Sequence, residues 1–243
     1  VRPDIMGTDD GLAMAPYIRE ARRIVPLKRV YAHDITADHQ PLARAANHTD
    51  SVGIGWYALD LHPCVGQRKT HIFAPTKPFQ IPLGSLIPMT TRNLIAACKN
   101  VGTTHLTNGA YRLHPIEWNI GESTGLLAAT CIDRNSEPAQ LWRDDSERLR
   151  LQCELALAGV PLAWAITESP APALQVLLAQ GVLDDISEAS QRLEVDLDAV
   201  IPTGTLRSEV LARIDDLTGT ASPLPQPLTW SALDRHYAAH FRA

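Results

Sequence analysis

The apolar pattern of this chain changes character near residue 135, and that change limits the folds open to it. Upstream, short β-like runs are broken by proline and glycine; downstream, apolar residues recur at helical spacing. The expected fold class is therefore mixed α and β (α+β). Its expected organisation is a sheet-bearing part over 1–135, a helical extension over 136–183 and an accessory helical tail over 184–243.

Within the first part, Arg22–Ile35 ("RRIVPLKRVYAHDI") alternates enough to be expected as a strand, with Pro26 at an edge or bend. Asp50–His62 ("DSVGIGWYALDLH") is strand-like too, and Gly53 and Gly55 imply close approach of the backbone to something. Phe79–Pro88 predicts a short strand, a turn at Pro82–Gly84 and a second extended piece. Asn93–Val101 ("NLIAACKNV") is a short apolar run of the kind buried on both faces. A helix is expected from about Ile120–Gly121, with Glu122 in its first turn, where the helix dipole favours an acid, and Leu126, Leu127, Thr130 and Cys131 at helical spacing.

In the second part, Pro138 suits the first turn of a helix that stops at Gly159 and Pro161, with Trp142, Leu149, Cys153 and Ala156 on one face. Ser169 as N-cap, Pro170 at the first position and Gly181 as C-cap frame the next. Leu206, Val210, Leu211, Ile214 and Leu217 mark an amphipathic helix. A Pro-rich connector, Ser222–Leu228, precedes a last helix with Leu233, Tyr237 and Phe241 one turn apart.

Composition excludes several functions. The 243 residues can bury a substantial core, and a net charge of −5 with no basic patch argues against nucleic acid. No run approaches the ~18–20 apolar residues of a membrane span. The start has no stretch resembling a signal peptide, so a cytoplasmic location is the default expectation. Because the first residue is Val1, the chain is expected either to be cut from something longer or to begin at a codon read literally as Val. Cys64, Cys98, Cys131 and Cys153 are scattered without a C-x-x-C pair, which speaks for reduced, mostly buried thiols rather than a zinc ribbon or a disulfide framework. There is no G-x-G-x-x-G after a strand, no P-loop and no G-x-S-x-G elbow.

Titratable chemistry concentrates in Thr104–Gly125 ("THLTNGAYRLHPIEWNIGESTG"), where His105, Arg112, His114 and Glu117 stand beside Gly109, Gly121 and Gly125. Arg112 is a planar cation suited to a carboxylate or oxyanion, and His105 is a natural proton shuttle. Seven residues apart on a loop, they either converge on one site or stand apart as a surface histidine and a salt-bridged arginine. A helix starting at Gly121 would offer unpaired N–H groups to a phosphate or a developing anion; the alternative is an ordinary connection whose glycines make turns. Asp60 and His62, two apart on one strand face, suit a metal or an orienting carboxylate–histidine pair. With His105 and His114 they would make the metal site of a hydrolase, although no H-x-x-x-H or H-E-x-x-H supports it. Pro16–Ile24 gathers Arg19, Glu20, Arg22 and Arg23, a run that is usually a solvated face.

Four segments, "PYIREARRI", "DSVGIGWYALDLHPC", "FQIPLGSLIP" and "NLIAACKNVGTTHLTNGAYRLHPIEWNIGESTG", occur in that order between Pro16 and Gly125, within a match of about residues 7–165. Together they resemble the C-terminal half of the FAD-dependent oxidoreductase family. The resemblance implies part of a substrate-domain sheet, with "NLIAACK" as a strand returning to the FAD domain and Gly121–Ile132 as the helix closing over the flavin. It also implies a departure, since Cys98-Lys99 stands where the family commonly carries Gly-Arg.

By that resemblance the cofactor is FAD and the reaction is hydride transfer to it from a small polar organic substrate. His105 is then the proton acceptor and Arg112 the anchor for substrate charge, with Arg19 and His62 in the substrate pocket. Cofactor contacts are implied at Lys99, Asn100, Gly109 and His114, and at Pro115, Asn119, Gly121 and Glu122. The glycine-rich N-terminal FAD domain, which would supply most of the affinity, is not in this sequence. The chain alone is therefore expected to bind FAD weakly or not at all, and to be poorly soluble, oligomeric through an unpaired strand, or complemented by an FAD-domain polypeptide. The rival reading is a non-catalytic binding protein on a retained scaffold.

Overall fold

The computed structural model describes residues 2–15, 19, 22–63, 71–183, 192–202, 204–220 and 223–241. Two single-turn helices, α1 (Pro3–Met6) and α2 (Ala32–Ile35), precede the sheet region. There, β1 (Ser51–Gly55) pairs antiparallel with β4 (Phe79–Pro82), and between them β2 (Leu59–Leu61) pairs antiparallel with β3 (Ile72–Ala74). One hairpin is thus nested inside another. Pro82 ends β4, and a 3₁₀ turn over Leu83–Ser85 follows, where the Pro82–Gly84 sequence predicts a turn. Seven helices complete the described chain: α3 (His105–Tyr111), α4 (His114–Asp133), α5 (Pro138–Arg143), α6 (Asp145–Leu157), α7 (Pro172–Ala179), α8 (Ser208–Thr218) and α9 (Trp230–Ala238). The mixed α and β class read from the sequence is the one observed, and among the described residues no helix is long and apolar enough to cross a membrane.

Several local expectations are corrected. Arg22–Ile35 forms isolated bridges, Pro26 with Pro88 and Val30 with Thr103, before turning into α2. Two prolines facing each other have no N–H to give, so a ladder cannot propagate there. Asn93–Val101 is irregular: Asn93 takes a left-handed φ of 52°, and of the run only Ala96 and Val101 are fully buried. Their N–H groups find single partners, the Leu86 and Cys98 carbonyls at 2.8 and 3.1 Å, in place of a strand ladder.

The largest correction concerns the helix expected at Gly121. It begins at His114, with Pro115 among its first two residues, so Gly121, Glu122 and Gly125 lie within α4 and the first-turn acid is Glu117. A first-turn proline presets the backbone for the helix. Burial of Ile116, Asn119, Ile120, Ser123 and Leu127 outweighs the ~1 kcal/mol that each internal glycine costs. The preceding stretch is helical too, because Thr104 and Thr107 cap α3 reciprocally, with N–H to hydroxyl distances of 2.8 and 3.1 Å.

Downstream, the single helix expected from Pro138 is broken at Asp144. Its carboxylate takes the Ser146 and Glu147 N–H groups and starts α6 anew. The next helix starts at Pro172, not Pro170, and Gly181 with φ 79° follows its end. Cys131 and Cys153 are free and buried, Cys98 is exposed, and Cys64 lies outside the described residues.

One core cluster fills the space between the strands and α3–α6. In it the Tyr111 ring stacks on Phe79 at 4.4 Å, and its hydroxyl donates to the Gln80 carbonyl at 2.7 Å. A second cluster joins Leu174 and Leu177 of α7 to Ile214 of α8 and to Leu233 and Tyr237 of α9. Helix α7 serves both, because Val176 and Ala179 face the first. α4 lies directly on β1: the Ile54 N–H donates to Asn119 Oδ1 at 2.9 Å and the Ser123 hydroxyl to the Val52 carbonyl at 2.5 Å. A Cβ on Gly53 would stand 2.5 Å from Asn119 Oδ1, and one on Gly55 2.5 Å from the Phe79 ring. What the two glycines admit is thus α4 and the core.

At the head of β1 a buried carboxylate collects three donors. Asp50 accepts from Lys28 Nζ at 2.7 Å, from the Gly84 N–H at 3.0 Å and from Trp142 Nε1 at 2.9 Å. Burial pushes this carboxyl up, but the Lys28 charge and the three hydrogen bonds outweigh it and hold it below its ordinary value. Next to it, burial and the Lys28 ammonium push His48 down to about 4 against the opposing pull of Asp50 and Asp34.

Asp50→Ala leaves the Gly84 N–H and Trp142 Nε1 without their acceptor, so it should cost about 1–3 kcal/mol of stability for each donor left unpaired, measured by urea unfolding. Folded His48 stays neutral until about pH 4, whereas unfolded histidine protonates near 6.5. Its contribution is complete above 6.5 and is lost as pH falls through that window, by on the order of 3 kcal/mol. Melting temperature should accordingly fall between pH 7 and 4.5, and His48→Gln should flatten that slope.

Candidate active site

Helix α3 fixes one strand of the nested hairpin. Gly109 lies so close to β2 that a Cβ there would stand 3.0 Å from both the N and O of Asp60. One turn on, buried Arg112 donates from Nη2 to the Asp60 carbonyl at 2.8 Å. His105 is the exposed first residue of the same helix. Seven positions apart in the chain, His105 and Arg112 stand about 10 Å apart along the axis and do not converge.

The β2–β3 register, Asp60 opposite Phe73 and Leu61 opposite Ile72, puts Asp60, His62, His71 and Phe73 on one face. There the Asp60 carboxylate meets His71 Nε2 at 3.0 Å and His62 Nε2 at 3.5 Å. The Tyr57 hydroxyl reaches its Oδ2 at 3.5 Å. The two imidazoles meet edge to face with centroids 6.1 Å apart, and His71 stacks on Phe73 at 6.4 Å.

Tyr57 also belongs to the wall of a cavity of about 510 Å³ between the end of β1, the first turns of α4 and Trp164. Trp56, Trp118 and Trp164 line it with Leu113, Pro115, Ile116, Asn119 and Glu122. Trp56 and Trp164 meet edge to face at 5.8 Å. Their indole N–H groups are spent on the Thr76 and Gly55 carbonyls at 3.2 and 3.1 Å, which leaves ring faces as the binding chemistry. Trp118 is 78% exposed at the rim. Among the described residues, Glu122 is the one charged side chain in the lining. Such a cavity suits a flat, largely apolar ring.

Of the residues expected at a cofactor, Pro115, Asn119 and Glu122 reach this cavity, although Asn119 is also held by β1. Gly121 faces the Ala97 carbonyl, and as an interior residue of α4 it offers no helix N-terminus. Lys99 Nζ lies 3.6 Å from Glu117, and its carbonyl takes the Asn108 amide at 2.8 Å. Asn100 is exposed and accepts the Ile24 N–H through its carbonyl at 3.0 Å. His114 is the exposed first residue of α4. Arg19 is half-buried outside regular structure, and Glu20 lies outside the described residues.

The metal reading brings Asp60 and His62 together but places His105 and His114 at the starts of two different helices. Among the described residues no group of three or more His, Cys, Asp or Glu side chains is arranged to hold a metal ion. Sequence reasoning missed Trp56, Tyr57, Trp118, Trp164 and His71. One signal was there: Pro115, Trp118, Asn119 and Glu122 are spaced i, i+3, i+4, i+7 on one helix face. That spacing has meaning only once the helix starts at His114.

Comparison with known proteins gives one match. A family model described as FAD dependent oxidoreductase matches residues 4–154, from α1 to near the end of α6. No curated protein and no solved structure matches the chain. With more than half of its length covered by that model, the chain belongs to the FAD-dependent oxidoreductase family.

Proposed function

We propose that the tryptophan cavity takes the planar ring end of FAD and that a small polar organic substrate is oxidised beside it by hydride transfer to FAD. The observation that carries this reading is the juxtaposition of a cavity lined by tryptophans with a carboxylate–histidine cluster, both reached by Tyr57. When bound, the flavin supplies the two-electron acceptor. The chain's own residues do the rest. Trp56, Trp118 and Trp164 hold the ring by its faces and exclude water from it, while Glu122 supplies polarity at the edge.

Only the ring end of the cofactor fits here. Among the described residues both sheets are two-stranded and antiparallel, so the strand–glycine loop–helix unit that cradles a pyrophosphate is not among them. The reading therefore assigns the adenosine and pyrophosphate to a complementing FAD-domain polypeptide or segment, and expects weak FAD binding by this chain alone. In it Gly109 and Arg112 act on the site through Asp60, whose backbone they fix.

The test is a titration with FAD followed by quenching of tryptophan emission, then anaerobic mixing with a panel of small alcohols, 2-hydroxy acids and amines. Binding should weaken about 2- to 10-fold in Trp118→Ala, the magnitude of one aromatic stacking contact, with no change in melting temperature because the ring is largely exposed. At saturating FAD at least one class of substrate should bleach the flavin absorbance. Unchanged affinity in the variant together with no bleaching by any substrate would sink the reading.

A further inference from the structure

The β2–β3 hairpin carries a second feature, which rests on the flavin reading and sharpens it. Asp60 is mostly shielded, with 16% of its side chain exposed, whereas His71 beside it is 57% exposed. A carboxylate only accepts hydrogen bonds, so the 3.0 Å contact requires His71 to carry its proton on Nε2. In the neutral ring Nδ1 then keeps its lone pair. We propose that His71, oriented by Asp60, is the proton-accepting residue of this site.

Three observations make the pair a prepared one. First, the Asp60 backbone is held from three sides: by the β3 ladder, by Gly109 of α3 and by Arg112 Nη2 on its carbonyl. A base fixed in this way gives up little freedom when a substrate arrives. Second, Phe73 stacks on the His71 ring and His62 closes its edge, so ring orientation is set as well as tautomer. Third, Tyr57 is among the residues lining the tryptophan cavity and its hydroxyl lies 3.5 Å from the same carboxylate, so base and pocket share one tyrosine. His62 shares the carboxylate at the longer distance of 3.5 Å and acts as a neighbour. The role expected of His105 from the sequence is assigned to His71, which has the Asp60 carboxylate at 3.0 Å to set its tautomer.

The reaction balances with the oxidant of the family. The substrate O–H or N–H bond breaks and its proton goes to Nδ1 of His71. Bound flavin would accept the hydride of the adjacent C–H bond, electron pair included, and a C=O or C=N bond would be left on the substrate. His71 ends as an imidazolium facing the Asp60 carboxylate, and Asp60 itself takes no proton.

Two measurements test this. Long-range ¹H–¹⁵N correlation spectra of the full chain without FAD should show His71 chiefly as the Nε2–H tautomer, and Asp60→Asn should mix the two tautomers. A dominant Nδ1–H form in the wild type would overturn the proposal whatever the chain does with flavin. In anaerobic mixing at saturating FAD, His71→Ala should slow flavin reduction about 10²–10⁴-fold, the usual worth of a general base, with an unchanged melting temperature. Free imidazole should restore part of the rate, as it would for a lost proton acceptor and not for a lost packing contact. If wild-type flavin is reduced but His71→Ala matches it, or if His105→Ala alone shows the loss, the flavin reading stands and this inference falls. If no substrate reduces the wild-type flavin, the flavin reading itself fails and takes the inference with it.

Discussion

The Asp50 carboxylate holds together parts of the chain that have no other reason to meet. Its donors come from residue 28, from the turn after β4 and from α5, and its own carbonyl takes the Leu83 N–H at 2.7 Å. Short two-stranded sheets are marginal by themselves. Here the β1–β4 pair is fastened at its head by a charge that must be fully satisfied because it is buried. Gly84 makes this possible, since a Cβ there would stand 2.8 Å from both Lys28 Cβ and Trp142 Nε1. The ion pair specifies the arrangement more than it stabilises it, because desolvation offsets much of its Coulomb energy.

From that anchor the rest follows by close approach. β1 runs from Asp50 toward the cavity, and Gly53 and Gly55 let α4 settle on it closely enough for Asn119 and Ser123 to take up β1 backbone groups. With α4 seated, the face carrying Pro115, Trp118 and Glu122 stands at the open end of β1, opposite Trp164. α3 then bears on β2 through Gly109 and Arg112. The groups around Asp60 are thus held by the same packing that builds the first core.

The sequence made some of this legible and hid the rest for identifiable reasons. Strong punctuation was readable: Pro82–Gly84 as a turn, Gly181 and Gly159 as helix ends, and the apolar faces of α8 and α9. Glycine misled at Gly121, where its low helix propensity suggested a boundary and tertiary burial overrode it. Proline misled at Pro26, whose partner across the gap is another proline, a pairing that local pattern cannot reveal. His71 went unnoticed because a lone histidine gains meaning only from the hairpin register that sets it beside Asp60.

By itself the sequence determined the mixed class, the helical second part and the ordered motifs that carry the family resemblance, because these are properties of neighbouring residues along the chain. The tertiary structure decided which residues share a site. It separated His105 from Arg112 by the length of α3, turned Arg112 inward onto a backbone carbonyl, and assembled a cavity from tryptophans 46 to 108 residues apart along the chain. The reason is physical: a helix or a strand fixes spacing over a few residues, whereas convergence at a site is fixed by which faces can be buried together.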